Sequence, residues 1–261
     1  MPGTVTWNVE GPVGSLVFSN PARMNAVSLS MWAAVPEVLR RFESDDAVRV
    51  IVVSGDGDKA FVSGADISEF EGARSSAEQE RHYDQTAQQA FEAFGRLTKP
   101  TVACIDGYCI GGGVAIALAC DLRIASDRSR FGIPAARLGL GYDLAGVRKL
   151  VDVVGAANAR EIFYTARRYD AGEALRLGLV HRIFAADDFA EAARSYVADI
   201  AANAPLTIRA VKRTVDELLR DESKRDIAAV DALVARCFDS QDYQEGRRAF
   251  MEKRTPRFRG L

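Results

Sequence analysis

Histidine is scarce in this chain: His82 and His181 are the only two, which excludes a multi-histidine metal centre by count. Cysteine offers no alternative. Cys104, Cys109, Cys120 and Cys237 are scattered with no C-x-x-C spacing, so no metal site is expected and reduced thiols in a cytoplasmic protein are the simplest reading. No window approaches the roughly 20 apolar residues that span a bilayer, so no membrane partner is expected. The opening residues Met1-Pro2-Gly3-Thr4-Val5-Thr6-Trp7 lack a basic stretch followed by an apolar one, and no signal peptide is expected. Neither sign of charge dominates: 34 basic and 36 acidic residues leave a formal charge of −2. That balance gives no electrostatic case for a nucleic-acid partner. Several motifs are missing too: G-x-G-x-x-G after a strand, G-x-x-x-x-G-K-S/T, G-x-S-x-G and H-E-x-x-H. Gly139-x-Gly141-x-x-x-x-Gly146 has the wrong spacing for a dinucleotide.

What is present is a chain of 261 residues, 48% apolar and 27% charged, ordinary for a globular protein. Its first part alternates strands with helices. Residues 4–10 and 15–19 read as a strand pair joined at Gly11-Pro12-Val13-Gly14. Residues 28–42 read as a helix with Ser28 or Ser30 as cap, and Trp32, Val35, Val38, Leu39 and Phe42 recur at helical spacing. The β-branched run at 49–54 predicts a strand buried on both faces, and 101–105 and 122–126 look the same. A polar helix is expected over 77–97. Strands separated by helices argue for βαβ units and an α/β fold. From about residue 156 the strand signals fade. Helices are expected at 156–165, 171–177, 187–202 and 205–219, the last with Ile208, Val211, Val215, Leu218 and Leu219 as its apolar stripe. We therefore expect an α/β core over residues 1–190 and a helical section over 191–261. These helices are more apolar than one small core needs, which predicts self-association.

Two glycine-bearing segments follow strand-like runs: Phe61-Val62-Ser63-Gly64-Ala65-Asp66-Ile67 and Ile105-Asp106-Gly107-Tyr108-Cys109-Ile110-Gly111-Gly112-Gly113. The glycine triplet opens a small-residue helix. Such an opening leaves backbone N–H groups unpaired at the positive end of a helix dipole. A ligand oxygen gaining negative charge would be stabilised there. The competing reading is that the glycines merely allow close packing of helix on strand.

The same two segments resemble the F-x-x-G-A-D-I/L and N/D-G-x-x-x-G-G-G motifs of the crotonase (enoyl-CoA hydratase/isomerase) family. Further similarities run in order: Asn20-Pro21 with Met24-Asn25-Ala26, Cys120-Asp121-Leu122-Arg123-Ile124-Ala125, Asp170 through Val180, and Tyr243-Gln244-Glu245-Gly246 leading to Phe250-Met251-Glu252-Lys253-Arg254. The resemblance implies a crotonase-type spiral of βαβ units with C-terminal helices that build a homotrimer, often stacked into a hexamer. It implies an acyl-CoA thioester as substrate, with no cofactor beyond the coenzyme A moiety. By resemblance, the N–H groups of Ala65 and Gly112 polarise the thioester carbonyl. Coenzyme A lies along Ala22, Arg23, Met24, Ser63, Ala65, Asp66 and Ile67. Phe250 and Lys253 reach a coenzyme A, often one on the neighbouring subunit.

One departure bears on the chemistry. Where hydratases of the family carry two glutamates, this chain has Ala115 and Ala135, which cannot give or take protons. Tyr142 and Asp143 are the functional side chains nearest in sequence. The loop around them resembles the methylmalonyl-CoA decarboxylase branch, where a tyrosine matches Tyr142, although that branch has histidine at Ala65 and keeps glutamate at Ala115. Asp143 matches the aspartate of dienoyl-CoA isomerases. Both have plain alternatives: Tyr142 as a half-buried ring bonding a loop, Asp143 as an N-cap. Glu69, His82, His181 and Asp66 carry structural readings, Asp66 by bonding N–H groups of its own turn. The expectations are an enzyme working through a thioester enolate, by decarboxylase-like or isomerase-like chemistry, or a non-catalytic acyl-CoA binder.

Overall fold

The computed structural model describes residues 3–66 and 77–261, with side chains in the helix Ala77–Gly95 described from Arg81 onward. The chain opens with strands β1 (Thr4–Glu10) and β2 (Val13–Ser19), then helix α1 (Leu29–Ser44). Ser28 caps α1, its hydroxyl accepting the Met31 N–H at 3.3 Å. The apolar stripe of α1, from Met31 to Phe42, is buried.

Three similar turns follow. Each contributes a strand, a second short strand and a helix: β3 (Val50–Gly55), β4 (Ala60–Val62) and α2 (Ala77–Gly95); β5 (Thr101–Ile105), β6 (Tyr108–Ile110) and α3 (Gly112–Ala119); β7 (Leu122–Ser126), β8 (Arg130–Gly132) and α4 (Ala135–Leu138). The first strands of these turns join β1 and β2 in one sheet of order β1-β2-β3-β5-β7-β10, closed by β10 (Arg182–Phe184), and the second strands stack into another of order β4-β6-β8-β9, closed by β9 (Tyr169–Asp170). Within the spiral all pairings are parallel; the β1–β2 hairpin and the β8–β9 pair are antiparallel. The short strands have three residues each, too few to show a period.

Helix α5 (Leu144–Thr165) is broken at Gly155, where φ is 76°, and the helical run the sequence predicts at 156–165 is its second part. Then come β9 (Tyr169–Asp170), α6 (Ala171–Arg176) with a capping box between Asp170 and Glu173, and β10 (Arg182–Phe184). Four helices finish the chain: α7 (Phe189–Ala202), α8 (Pro205–Leu218), α9 (Ile227–Asp239) and α10 (Gln241–Glu252). The sequence reading lists no individual helix beyond residue 219; the structure resolves the rest of the helical section into α9 and α10, with Phe250 in the last turn of α10.

The main core lies among α1, the two sheets and the helices packed on them, with Phe18, Phe42, Phe61, Phe131 and Tyr169 fully enclosed. The stripe read on α8 does not join it. Leu206 and Ala210 are buried, while Val211, Val215, Leu218 and Leu219 are exposed. No residue of α9 is buried, and its Ile227, Val234 and Phe238 are exposed. Among the described residues no helix is long and apolar enough to cross a membrane.

Candidate active site

The stacking of β4, β6 and β8 brings three chain segments side by side: the one after Val62, the one after Ile110 and the one after Gly132. Ala65 lies on the first, Gly112 on the second and Ala135 on the third. Residues far apart in sequence therefore meet because each ends the same stage of a successive turn.

Ala65 is held by an isolated parallel bridge to Val27. The Val27 N–H donates to the Gly64 carbonyl at 2.8 Å, and the Asp66 N–H donates to the Val27 carbonyl at 3.0 Å. Because these bonds use the neighbours of Ala65, its own N–H faces the opposite side, as alternation along an extended strand requires. On that side stands Gly112. A Cβ built there would lie 3.7 Å from the Gly64 carbonyl carbon and 3.8 Å from the Ala65 nitrogen. Gly112 is the first residue of α3, so its N–H has no partner within the helix. Gly111, the N-cap, has φ 52° and ψ −111° and no side chain to cap the helix. Two backbone donors thus stand together at the positive end of a helix.

The glycines divide the two readings offered by the sequence. Gly107 and Gly113 serve packing: a Cβ at either would come within 2.1 Å of a carbonyl oxygen, that of Lys59 or Val62. Gly111 serves conformation, and Gly112 borders Ala65. At the other end of α3, buried Arg123 donates to the carbonyls of Ala117, Cys120 and Leu179, satisfying the helix C-terminus.

Ala22, Arg23 and Met24 join the same junction. Ser63 donates its N–H to the Met24 carbonyl and its hydroxyl to the Arg23 carbonyl, both at 3.1 Å. Arg23 reaches Asp66 at 2.8 Å, and the Asn20 amide adds a longer contact at 3.4 Å. Asp66 is therefore structural, but through Arg23 and Asn20 as well as its own location in the turn. Asn25 is buried, and its amide donates to the carbonyls of Asp56 and Ala60 at 2.9 and 2.7 Å. Met24 and Asn25 both adopt the left-handed region, with φ 51° and 55°. The roles of Asn20 and Asn25 as tethers were not read from the sequence; a paired asparagine bracketing a short turn is the signal that points to them. Ile67 and Glu69 lie outside the described residues.

Ala115 is half-buried one turn into α3, and Ala135 is buried after β8. The lining of those positions is methyl. Tyr142 is 39% exposed, its ring edge-on to Phe163 with centroids 4.9 Å apart. Its hydroxyl makes no hydrogen bond among the described residues, in contrast to the loop-bonding alternative. Burial of the ring pushes its pKa above the usual value, so the group is a neutral donor. Asp143 caps α5, its Oδ1 accepting the Gly146 N–H at 2.8 Å. No hydrogen bond ties either residue to Ala65 or Gly112. Phe250 and Lys253 likewise sit apart, exposed at the end of α10. His82 is exposed on α2, and His181 accepts the Arg123 N–H at 3.1 Å just before β10.

A sequence profile of the family described as Enoyl-CoA hydratase/isomerase matches residues 8–260. The chain is 34% identical over 257 residues to a carnitinyl-CoA dehydratase of Proteus mirabilis, covering 96% of each. It is 31% identical over 245 residues to a short-chain-enoyl-CoA hydratase of Clostridium acetobutylicum, covering 94% of this chain and 93% of that one. Among solved structures, an enoyl-CoA hydratase/isomerase family protein from Hyphomonas neptunium superposes with a TM-score of 0.89 at 35% identity, covering 97% of each chain.

Proposed function

The chain belongs to the enoyl-CoA hydratase/isomerase family of acyl-CoA enzymes, and from that premise we propose that it works through a thioester enolate without hydrating a double bond. The observation that carries this is the pairing of an intact donor site with an apolar surround. The Ala65 and Gly112 backbones are adjacent and neither N–H is bonded among the described residues, whereas Ala115 and Ala135 offer nothing that moves a proton. The coenzyme A portion runs along Ala22, Arg23, Met24, Ser63 and Asp66, which the hydrogen bonds around Ser63 bind into one rim. The thioester oxygen points at the two donors. Negative charge that develops on it as a bond to Cα breaks is held by them.

Tyr142 then supplies the side-chain chemistry. A free, neutral hydroxyl can hold a carboxylate of a malonyl-type thioester, so that loss of CO2 leaves its electron pair in the enolate. The cap uses one oxygen of Asp143 and the other has no partner among the described residues, which favours a subsidiary reading in which that oxygen shuttles a proton between carbons. Both need the same enolate. The deciding assay is magnetic resonance in D2O with short saturated, enoyl and malonyl-type thioesters. Deuterium appearing at Cα, or CO2 release, is the expected result. Binding of every thioester with neither signal makes the protein a non-catalytic acyl-CoA binder.

We assign the uncovered apolar faces of α8 and α9 to contacts with further copies of the chain, in a trimer or a dimer of trimers. Sedimentation at micromolar concentration checks this, and a 28.4 kDa species would refute it.

A further inference from the structure

The last residues of the chain fold back along α10 and are fastened to it at three levels. Glu245 grips Arg254 with both oxygens, at 2.6 and 2.9 Å, and accepts the Arg257 N–H at 2.9 Å. One turn earlier, Asp242 is only 3% exposed and accepts the N–H groups of Arg259 and Gly260 at 2.6 and 2.7 Å. At the start of the helix the Gln241 N–H donates to the Leu261 carbonyl at 2.7 Å. Arg49, at the foot of β3, donates to the carbonyls of Phe258 and Ala201 and ties the returning segment to the core.

The bend that this clasp closes is Lys253. It caps α10 with φ 53° and ψ 41°, a conformation unfavourable for a lysine and kept where the surroundings over-determine it. Phe250 stands beside it, 85% exposed. Its neighbour Met251 is 82% exposed, so the firmly held end of the helix presents apolar side chains as well as an ammonium to solvent.

We propose that Glu245, supported by Asp242, is a positioning residue that presents Lys253 and Phe250 to the coenzyme A portion of the substrate. This rests on the reading that the tail contacts coenzyme A. The carboxylate cannot act by itself, because both of its oxygens are occupied. Its work is to hold Arg254, the residue next to Lys253, so that the ammonium and the ring reach the ligand without first being ordered. Preorganisation of this kind raises affinity by removing the entropy cost of fixing mobile groups on binding. Arg254, followed by the Arg257 N–H, pulls the Glu245 carboxyl down to about 2. A lowered pKa means that the clasp is fully formed above the ordinary carboxylate range and is lost only as pH falls towards that value. Between pH 5 and 9 its contribution is constant.

The test is calorimetry with coenzyme A on the full chain, comparing wild type, E245A, K253A and the double variant, with a thermal melt of each. K253A and E245A are each expected to weaken binding about tenfold, equivalent to about 1.4 kcal/mol, and the double variant to be no weaker than K253A alone. That non-additivity marks a residue acting through Lys253; a purely structural role would lower the melting temperature and leave the losses additive. If E245A does not fold, E245Q enters the same cycle, since it keeps an acceptor for Arg257 and drops the charge facing Arg254. Wild-type affinity in the Glu245 variant beside a weakened K253A, or losses that add, overturns the positioning role and leaves the tail contact standing. Wild-type affinity in K253A and F250A alike removes the contact and the proposal with it.

Discussion

The junction of Ala65 with Gly112 and the loop of residues 139–143 lie on the same spiral and are built in opposite ways. At the junction the working groups are backbone N–H, and their positions follow from packing: there is no room for a Cβ at Gly107 or Gly113. In the loop the working groups are side chains, and the backbone leaves space, since a Cβ at Gly139 or Gly141 would touch nothing within 4 Å. The first can change only by damaging the fold. The second has room to change, apart from Gly139, whose φ of 66° strains any side chain. On the proposed function, polarisation of a thioester would be the fixed property of this scaffold, and proton or carboxylate handling the replaceable one.

The largest effect that could break this contrast concerns water addition. Hydration of crotonyl-CoA is expected to be slower than in a hydratase carrying both glutamates by several orders of magnitude, because each lost acid/base group is worth about 10²–10⁴-fold. Ordinary turnover in a spectrophotometric assay would show that the loop replaces the missing pair completely. Next is G113A, whose Cβ would press to 2.1 Å from the Val62 carbonyl oxygen. Overpacking of that kind costs about 1–3 kcal/mol or more, so the melting temperature should fall by several degrees and enolate chemistry should fail. A normal melt with normal turnover would mean that the junction is less fixed than its packing implies.

Y142F sharpens the other side of the contrast. With no hydrogen bond to lose among the described residues, it should melt like wild type. Turnover of a malonyl-type thioester should drop about 10–100-fold, the worth of one hydrogen bond to a charged group. Because burial raises the Tyr142 pKa, the hydroxyl stays neutral through the range where an ordinary tyrosine begins to ionise, and its contribution to rate is lost only as pH rises through the shifted value. The smallest effect belongs to Asp143. D143A removes a cap and should cost about 1 kcal/mol of stability, read as a shift of a few degrees. D143N keeps the cap, so turnover lost in D143N with an unchanged melt isolates proton shuttling.

The sequence made the spiral legible where strands are buried on both faces: Thr101–Ile105 is a continuous β-branched or small apolar run, and Leu122–Ser126 is one interrupted only by Arg123. It hid β4, β6 and β8, whose three residues carry no period, and these are the strands that assemble the site. The motifs found Ala65 and Gly112, but not that Gly113 is there for space and Gly111 for its dihedral angles. On α8 the periodicity was real and its direction was not readable. An apolar stripe shows that a face is to be covered, and only tertiary structure shows that this subunit's own core does not cover it.

The turn-by-turn layout of the spiral also sets when the site can exist during folding. Ala65, Gly112 and Ala135 belong to three different turns, so no local element contains even a pair of them. Contacts between segments so far apart in sequence form only after long loops have been closed, which is the slow part of acquiring a fold. Helices such as α7 and α8 can be present in a collapsed chain that still has no place for a thioester. The junction of Ala65 with Gly112 and Ala135 therefore arises late, and only in molecules whose successive turns have stacked in register.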